Sequence, residues 1–500
     1  MTETREPHTL IVGAGASGAV IAARLTERSD LDVLLVEAGP DYLPEALPPD
    51  LANGRYNSMS RHDWGFQHRP TPRMPRIPLP RGRVVGGSSA VNTCIALRGE
   101  PLDFDEWGLD GWSWEECLPA FKRLERDLDF PESEWHGSDG PLPVRRHPRH
   151  ELSQWQAAFL DAGAHLGLPA MPDTNVPGAT GVGIHAMNKI DGRRISAAEA
   201  WLTPEVRARP NLRIQADTLV RELVFHRDRV VGVDVERNGV VERIHAKRVL
   251  LCAGAVSTPM VLMRSGLGPA ADLRRIGVRV VRDLPDVGRL IDHPGSGMFF
   301  VPRRSLEHSM EGGIIQTVIL TKLGDGPYTN DIQLQAGSFI PTKVHNFPGV
   351  MLMVSLQKPD SVGRLTLRSA DPHEGPVVDS ALYTHPKDME LASRGLDLLR
   401  ELAATPAMRP LARCFYPTRV VARSRRLRKR YLSVAADSGY HPSCTVAMGR
   451  VTDARGRIEG IEGLRICDAS LFPTVPSSNI HVPTLMVGER FGEWLREDLD

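Results

Sequence analysis

The stretch HTLIVGAGASGAVIAARLTERSDLDVLLVEAG (8–39) restricts the possible folds more than any other part of the chain. It opens with an apolar run that ends in glycine, the pattern of a strand buried on both faces. Small residues then lead a helical pattern, and a second apolar run follows. Strand, helix, strand in this order forms a right-handed crossover and a parallel sheet. The turn itself reads GAGASG (13–18). Gly13 permits a tight exit from the strand, Gly15 lets the backbone approach a pyrophosphate, and Gly18 lets the helix pack close to the sheet. Ala16 and Ser17 open that helix, whose free N–H groups and positive end suit an anion. Glu37 closes the second strand, followed by Ala38, where a carboxylate accepts hydrogen bonds from ribose hydroxyls. A 2′-phosphate would be repelled there. NAD and FAD satisfy this motif equally.

That unit is a small part of 500 residues, so two or three compact domains are expected. Hydrophobic residues make up 41% and charged residues 24%, which excludes a disordered or fibrous chain. Lys plus Arg and Asp plus Glu are both 61, so no general nucleic-acid surface is expected. No apolar run approaches the ~18 residues of a membrane span. The polar start MTETREP lacks the apolar core of a secretory signal, and a cytoplasmic location is expected. The six cysteines and 17 histidines show no metal-ligand spacing, so no metal is expected and the thiols are read as reduced.

Residues 40–80 are dense in proline and are expected to be a long surface excursion. Residues 113–127 read as a helix with Ser113 and Glu116 as a capping box. Strands are expected through 211–251, and alternating strands with a helix at 387–404 suggest a second, antiparallel domain. Pro483 is read as the first residue of a final helix. Residues 419–430, RVVARSRRLRKR, carry seven basic side chains in twelve. They fit a solvated helix face, or a docking patch for an anionic partner or membrane surface.

Two longer motifs separate FAD from NAD. GRVVGGSSAVNTCIA (82–96) and GAVSTPMVLMRSGLG (254–268) match both signatures of the glucose–methanol–choline (GMC) oxidoreductases. HGSDGPLPV (136–144), RRISAAEAWLTP (193–204) and GLRICDASLFPTVP (463–476) agree in order. The chain thus resembles this family along nearly its whole length. It looks closest to the bacterial branch with hydroxymethylfurfural oxidase, choline oxidase and mycofactocin-linked dehydrogenases.

The resemblance implies an α/β, Rossmann-like FAD-binding domain, discontinuous over 1–150, 205–290 and 440–500. It also implies an α+β substrate domain with an antiparallel sheet over 151–204 and 291–439. By the same resemblance Arg83, Val85, Gly86, Gly87, Ser88 and Asn92 line the flavin and pyrophosphate. Val220 meets adenine through its main chain, and Asp468 and Ala469 meet the ribitol and diphosphate. Pro483 and Thr484 begin a helix whose positive end faces the flavin. Val91 stands where choline oxidase bears its flavin-linked histidine, so FAD is expected to be non-covalent.

The implied activity is oxidation of the CH–OH group of a small or medium alcohol. His441 would act as general base and His481 as its partner, with hydride passing to flavin N5 and O2 or an electron carrier as acceptor. An imidazole, with an ordinary pKa near ~6.5, suits removal of a hydroxyl proton at neutral pH. The usual family string resembles HxxGTxRMG, whereas this chain reads HPSCTVAMG (441–449), with Cys444 for glycine and Ala447 for arginine. Alternatives on the same fold are a non-redox lyase of the hydroxynitrile type and a fatty-acid photodecarboxylase.

Overall fold

A computed structural model describes residues 7–58, 61–309, 312–340 and 347–498. The polar start at 1–6 lies outside these. The first layer is a five-stranded parallel sheet, in the order Leu212–Gln215, Val33–Val36, Thr9–Val12, Arg248–Leu251 and Leu464–Ile466. Its central strands are buried at every position, as their uninterrupted apolar sequences require. Helix Ala16–Leu25 covers one face, and the final helix, His481–Glu497, packs on it through Gly488 and Gly492.

The second layer is a mixed sheet in which only the Ala170–Met171 and Gly181–Ile184 pair is parallel. From one edge inward its strands are Ala412–Tyr416, Pro294–Pro302, Val350–Leu356, Ile332–Gly337 and Thr317–Thr321. Alternation along these strands sorts two faces. Met298, Phe300, Leu334, Leu352 and Val354 point into a core shared with helix Pro386–Ala404. Gly295, Gly297, Phe299, Met351, Met353, Gln333 and Gln335 occupy the opposite face. Strands Gly363–Thr366 and Val377–Asp379 instead join Gln67–Arg69 and send Leu365 and Val378 into the core of the parallel-sheet layer.

The expected helix at 113 forms, with Ser113 and Glu116 capping each other. It stops at Leu124 because Glu125–Asp127 pairs with Leu142–Val144. The described residues of 40–80 are mostly exposed or half-buried, as a surface excursion would be, but Leu51, His68 and Leu79 are buried, and Asn57, Ser58, Trp64, Gly65, Phe66 and Pro80 line the main cleft. The prolines of this stretch set a connected path through short elements rather than a loose loop. The final helix begins at His481, two residues before the expected start, so Pro483 is its third residue and His481 its first.

Candidate active site

A cleft of about 500 Å³ runs across the C-terminal edge of the parallel sheet. At its floor the GAGASG turn adopts the geometry its glycines permit. Gly13 has φ +100°, and a Cβ there would sit 2.6 Å from the Cys252 carbonyl oxygen. A Cβ on Gly18 would meet the Gly13 carbonyl oxygen at 2.0 Å, so this glycine fixes helix-to-strand packing and does not line the cleft. Gly15 is different: its φ is −76°, and the nearest atom to an added Cβ is Gly87 Cα at 3.9 Å. A Cβ on Gly87 would approach Gly15 Cα to 2.7 Å, so two glycines face each other across the cleft floor. Helix Ala16–Leu25 has no side-chain cap, leaving its first N–H groups available to an anion. This cradle fits a diphosphate.

Glu37 lies in the same cleft. Its two carboxylate oxygens accept from Ala14 N at 3.0 Å and Gly39 N at 2.9 Å. Burial raises its pKa to about 7, so additional hydroxyl donors would favour the carboxylate form. Ala16, Ser17, Ala38, Arg83, Ser88, Asn92, Val220, Ala469 and Thr484 also line the cleft. Val85, Gly86 and Pro483 do not. Val85 is buried in the core, Gly86 has φ +103° and hydrogen-bonds through its N–H to Ala14, and Pro483 is buried one step inside the final helix. Asp468 borders the cleft, but its carboxylate accepts from Gly254 N, Thr258 Oγ1 and Ser470 N. What it offers the cleft is therefore its main chain.

His441 and His481 both line the same cleft. His441 Nδ1 lies 2.9 Å from Nδ1 of His293, and its Nε2 lies 3.1 Å from Asn479 Nδ2. Gln333 donates to Asn479 Oδ1 at 3.3 Å, which orients that amide to donate to His441. His441 is thereby a neutral ring with an acceptor at Nε2 and its proton shared toward His293. Its backbone N–H donates to Asp292 at 3.0 Å, and Arg81 donates to the Tyr440 carbonyl at 2.8 Å, pinning the loop from both sides. Burial is the main cause that holds His441 well below its usual pKa, with the neighbouring His293 adding to it. Burial alone brings His481 to about 4. Both rings are neutral at pH 7.

His481 has no partner at either ring nitrogen, although both are buried. Buried polar atoms are nearly always satisfied, so this orphan pair marks a place for a ligand group. The helix it begins has no side-chain cap, so its positive end is also open at this point. Cys444 is fully buried with φ +67°, the left-handed region that explains a glycine in the family string. Burial pushes its thiol up to about 12, which makes it a packing group rather than a nucleophile.

His293, Asn479 and Gln333 escaped the sequence reading. Asn479 stands two residues before His481 in SSNIH, and a polar side chain so near a functional histidine was a usable signal. His293 in IDHPG and Gln333 in a strand carried none. Two acidic clusters with a histidine occur among the described residues. In one, Arg98 pairs with Glu125 and Arg146 with Asp127 and Asp173, and hydrogen bonds to Asp173 and Glu125 raise His136 to about 9 against the opposing effect of burial. In the other, backbone N–H groups and Lys387 satisfy Asp388 and Asp360.

Comparison with known proteins agrees with this geometry. Residues 8–295 and 359–488 match the N-terminal and C-terminal sequence profiles of the GMC oxidoreductases. The chain is 33% identical to a 5-(hydroxymethyl)furfural oxidase of Methylovorus sp., covering 97% of each chain. It is also 33% identical to an oxygen-dependent choline dehydrogenase of Chromohalobacter salexigens, over 99% of this chain and 96% of that one. The crystal structure of pyridoxine 4-oxidase from "Mesorbium loti" superposes with a TM-score of 0.90 at 30% identity, covering 98% and 99% of the two chains. With two sequence profiles and full-length relatives at 33% identity in agreement, the chain belongs to the GMC oxidoreductase family of FAD-dependent oxidoreductases.

Proposed function

We propose that the protein oxidises the CH–OH group of a neutral, small or medium alcohol, with His441 and His481 as the proton-handling pair. The single observation that carries this reading is that both ring nitrogens of His481 are buried and unpartnered in the same cleft as a neutral His441. A neutral imidazole can hold a hydroxyl and take its proton, which contributes roughly 10²–10⁴-fold. His441 Nε2 already accepts from Asn479, so the alcohol oxygen would take the place of that amide, while His293 keeps the ring oriented. His481 would hold the same oxygen from the side of the open helix end. FAD, when bound, supplies the hydride acceptor.

Gly13, Gly15, Gly87 and the first turn of helix Ala16–Leu25 would hold the diphosphate, and Glu37 the adenosine ribose. Val91 borders the cleft with a side chain that cannot form a covalent link, which supports non-covalent FAD. The sheet face from which Gln333 reaches Asn479 also carries Met351, Met353, Phe299 and Gln335. Those side chains suit an alcohol with an apolar body and no formal charge. The electron acceptor is O2 or a carrier.

Anaerobic titration of the yellow holoenzyme with a panel of neutral alcohols tests the proposal. Bleaching of the flavin by one class is the expected result. A flavin that no alcohol bleaches would refute it and favour a reaction without net redox change, such as a lyase; dependence on blue light would point to photodecarboxylation.

A further inference from the structure

The edge of the second sheet carries a patch that the reaction does not use. Strand Ala412–Tyr416 is the last strand on that side, and it runs into helices Arg419–Arg423 and Arg425–Leu432. Arg419 and Arg423 stand one turn apart on the first helix, and Arg426 and Arg430 one turn apart on the second. With Arg413 on the strand, these five arginines are exposed, and none has a side-chain partner among the described residues. The neighbouring Arg425 and Lys429 differ, since both pair with Glu390.

Apolar side chains sit among these charges. Val420 is 69% exposed, Phe415 45% and Tyr416 42%. Isolated exposed apolar residues are ordinary, but three in six positions, framed by unpaired arginines, are not. Tyr416 is held against Tyr431 at 5.1 Å, and Phe299 lies 6.5 Å from Phe415 and 6.3 Å from Tyr416.

We propose that this patch docks the enzyme peripherally on an anionic lipid surface, with Phe415, Tyr416 and Val420 entering the headgroup region and the arginines binding lipid phosphates. Basic charge around apolar and aromatic side chains is the composition of an interfacial anchor. A second copy of the chain fits poorly, because a two-fold contact would place these arginines against themselves. Among the described residues no helix is long and apolar enough to cross a membrane, so attachment would be peripheral.

The test is co-sedimentation of the holoenzyme with phosphatidylglycerol vesicles and with phosphatidylcholine vesicles, at low and high salt. Binding to the anionic vesicles that weakens with salt is expected. Each basic residue near such a surface contributes about fivefold, so R419Q/R423Q/R426Q should weaken binding by roughly 100-fold. F415S/V420S should weaken it further at high salt, where the apolar contribution remains. Turnover of a water-soluble alcohol should stay at the wild-type rate in both variants, which shows that they are folded. Three results would overturn the proposal: equal binding to neutral vesicles, no binding to anionic ones, or anionic binding that neither variant reduces. A change of oligomeric state in the arginine variant would assign the patch to a second copy instead.

Discussion

Substituting alanine at Gly13 and at Gly15 separates a glycine required by the fold from one required by the cofactor. At Gly13, alanine would have to adopt φ +100° and place its Cβ 2.6 Å from the Cys252 carbonyl oxygen. The left-handed backbone costs about 1–2 kcal/mol and the overlap about 1–3 kcal/mol. Together these are a large share of a typical stability of roughly 5–15 kcal/mol. At Gly15 the backbone is already in a region open to alanine, and the nearest atom to the new Cβ is 3.9 Å away. The entropy gain from removing glycine, about 0.4–1 kcal/mol, offsets the poorer helix cap, which costs a similar amount. Apo G15A should therefore melt within a few degrees of wild type, and apo G13A well below it.

Cofactor binding should separate the two differently. The Gly15 methyl would occupy the space that the cradle leaves for the diphosphate. Overpacking of about 1–3 kcal/mol corresponds to a roughly 5–150-fold weaker Kd for FAD, and Gly15→Val should abolish binding. The assay is titration of apoprotein with FAD, followed by flavin fluorescence, alongside a thermal melt of each apoprotein. Wild-type FAD affinity in G15A would refute the cradle argument. A collapse of apo G15A matching that of G13A would show that Gly15 serves the fold instead.

Three further outcomes follow from the same geometry. His441→Ala and His481→Ala should each slow anaerobic flavin reduction by roughly 10²–10⁴-fold while leaving a yellow protein; a normal rate in either variant removes that ring from the proton-handling pair. Because burial holds His481 near 4, it stays neutral until the pH falls through that value, so the acid limb of the reduction rate should lie well below the usual histidine range. A limb centred near ~6.5 would contradict a neutral pair held below the usual histidine range. Arg98, fully buried against Glu125, should cost about 3–5 kcal/mol when changed to methionine, since it leaves buried carboxylates without their cation; an unchanged melting temperature would show that His136 and Arg146 suffice.

The nucleotide half was legible because its determinants are local. Buried strands need unbroken apolar runs, a tight strand-to-helix turn needs glycine at set spacings, and both patterns sit within the first forty residues. The Ser113 and Glu116 cap was legible for the same reason, since its partners are three residues apart. Local reading failed where the competing influence was distant. Helix 114–124 ends early because residues 142–144 claim the following strand. The proline-rich 40–80 stretch keeps many exposed residues, yet Leu51, His68 and Leu79 are buried and part of it lines the cleft, through contacts with segments distant in sequence. The last helix begins at His481 rather than at Pro483.

The sequence by itself determined that the chain has a parallel, dinucleotide-type sheet and which two histidines carry the family resemblance. It could not determine what those histidines touch. His293 reaches His441 across 148 residues, and Asn479 reaches it across 38. Gln333 joins them from the second sheet, 146 residues from Asn479. Only the tertiary structure decided that His441 is held at both ring nitrogens while His481 is left open. The physical reason is that hydrogen-bond partners and burial depend on which surfaces pack together, and that depends on the whole chain.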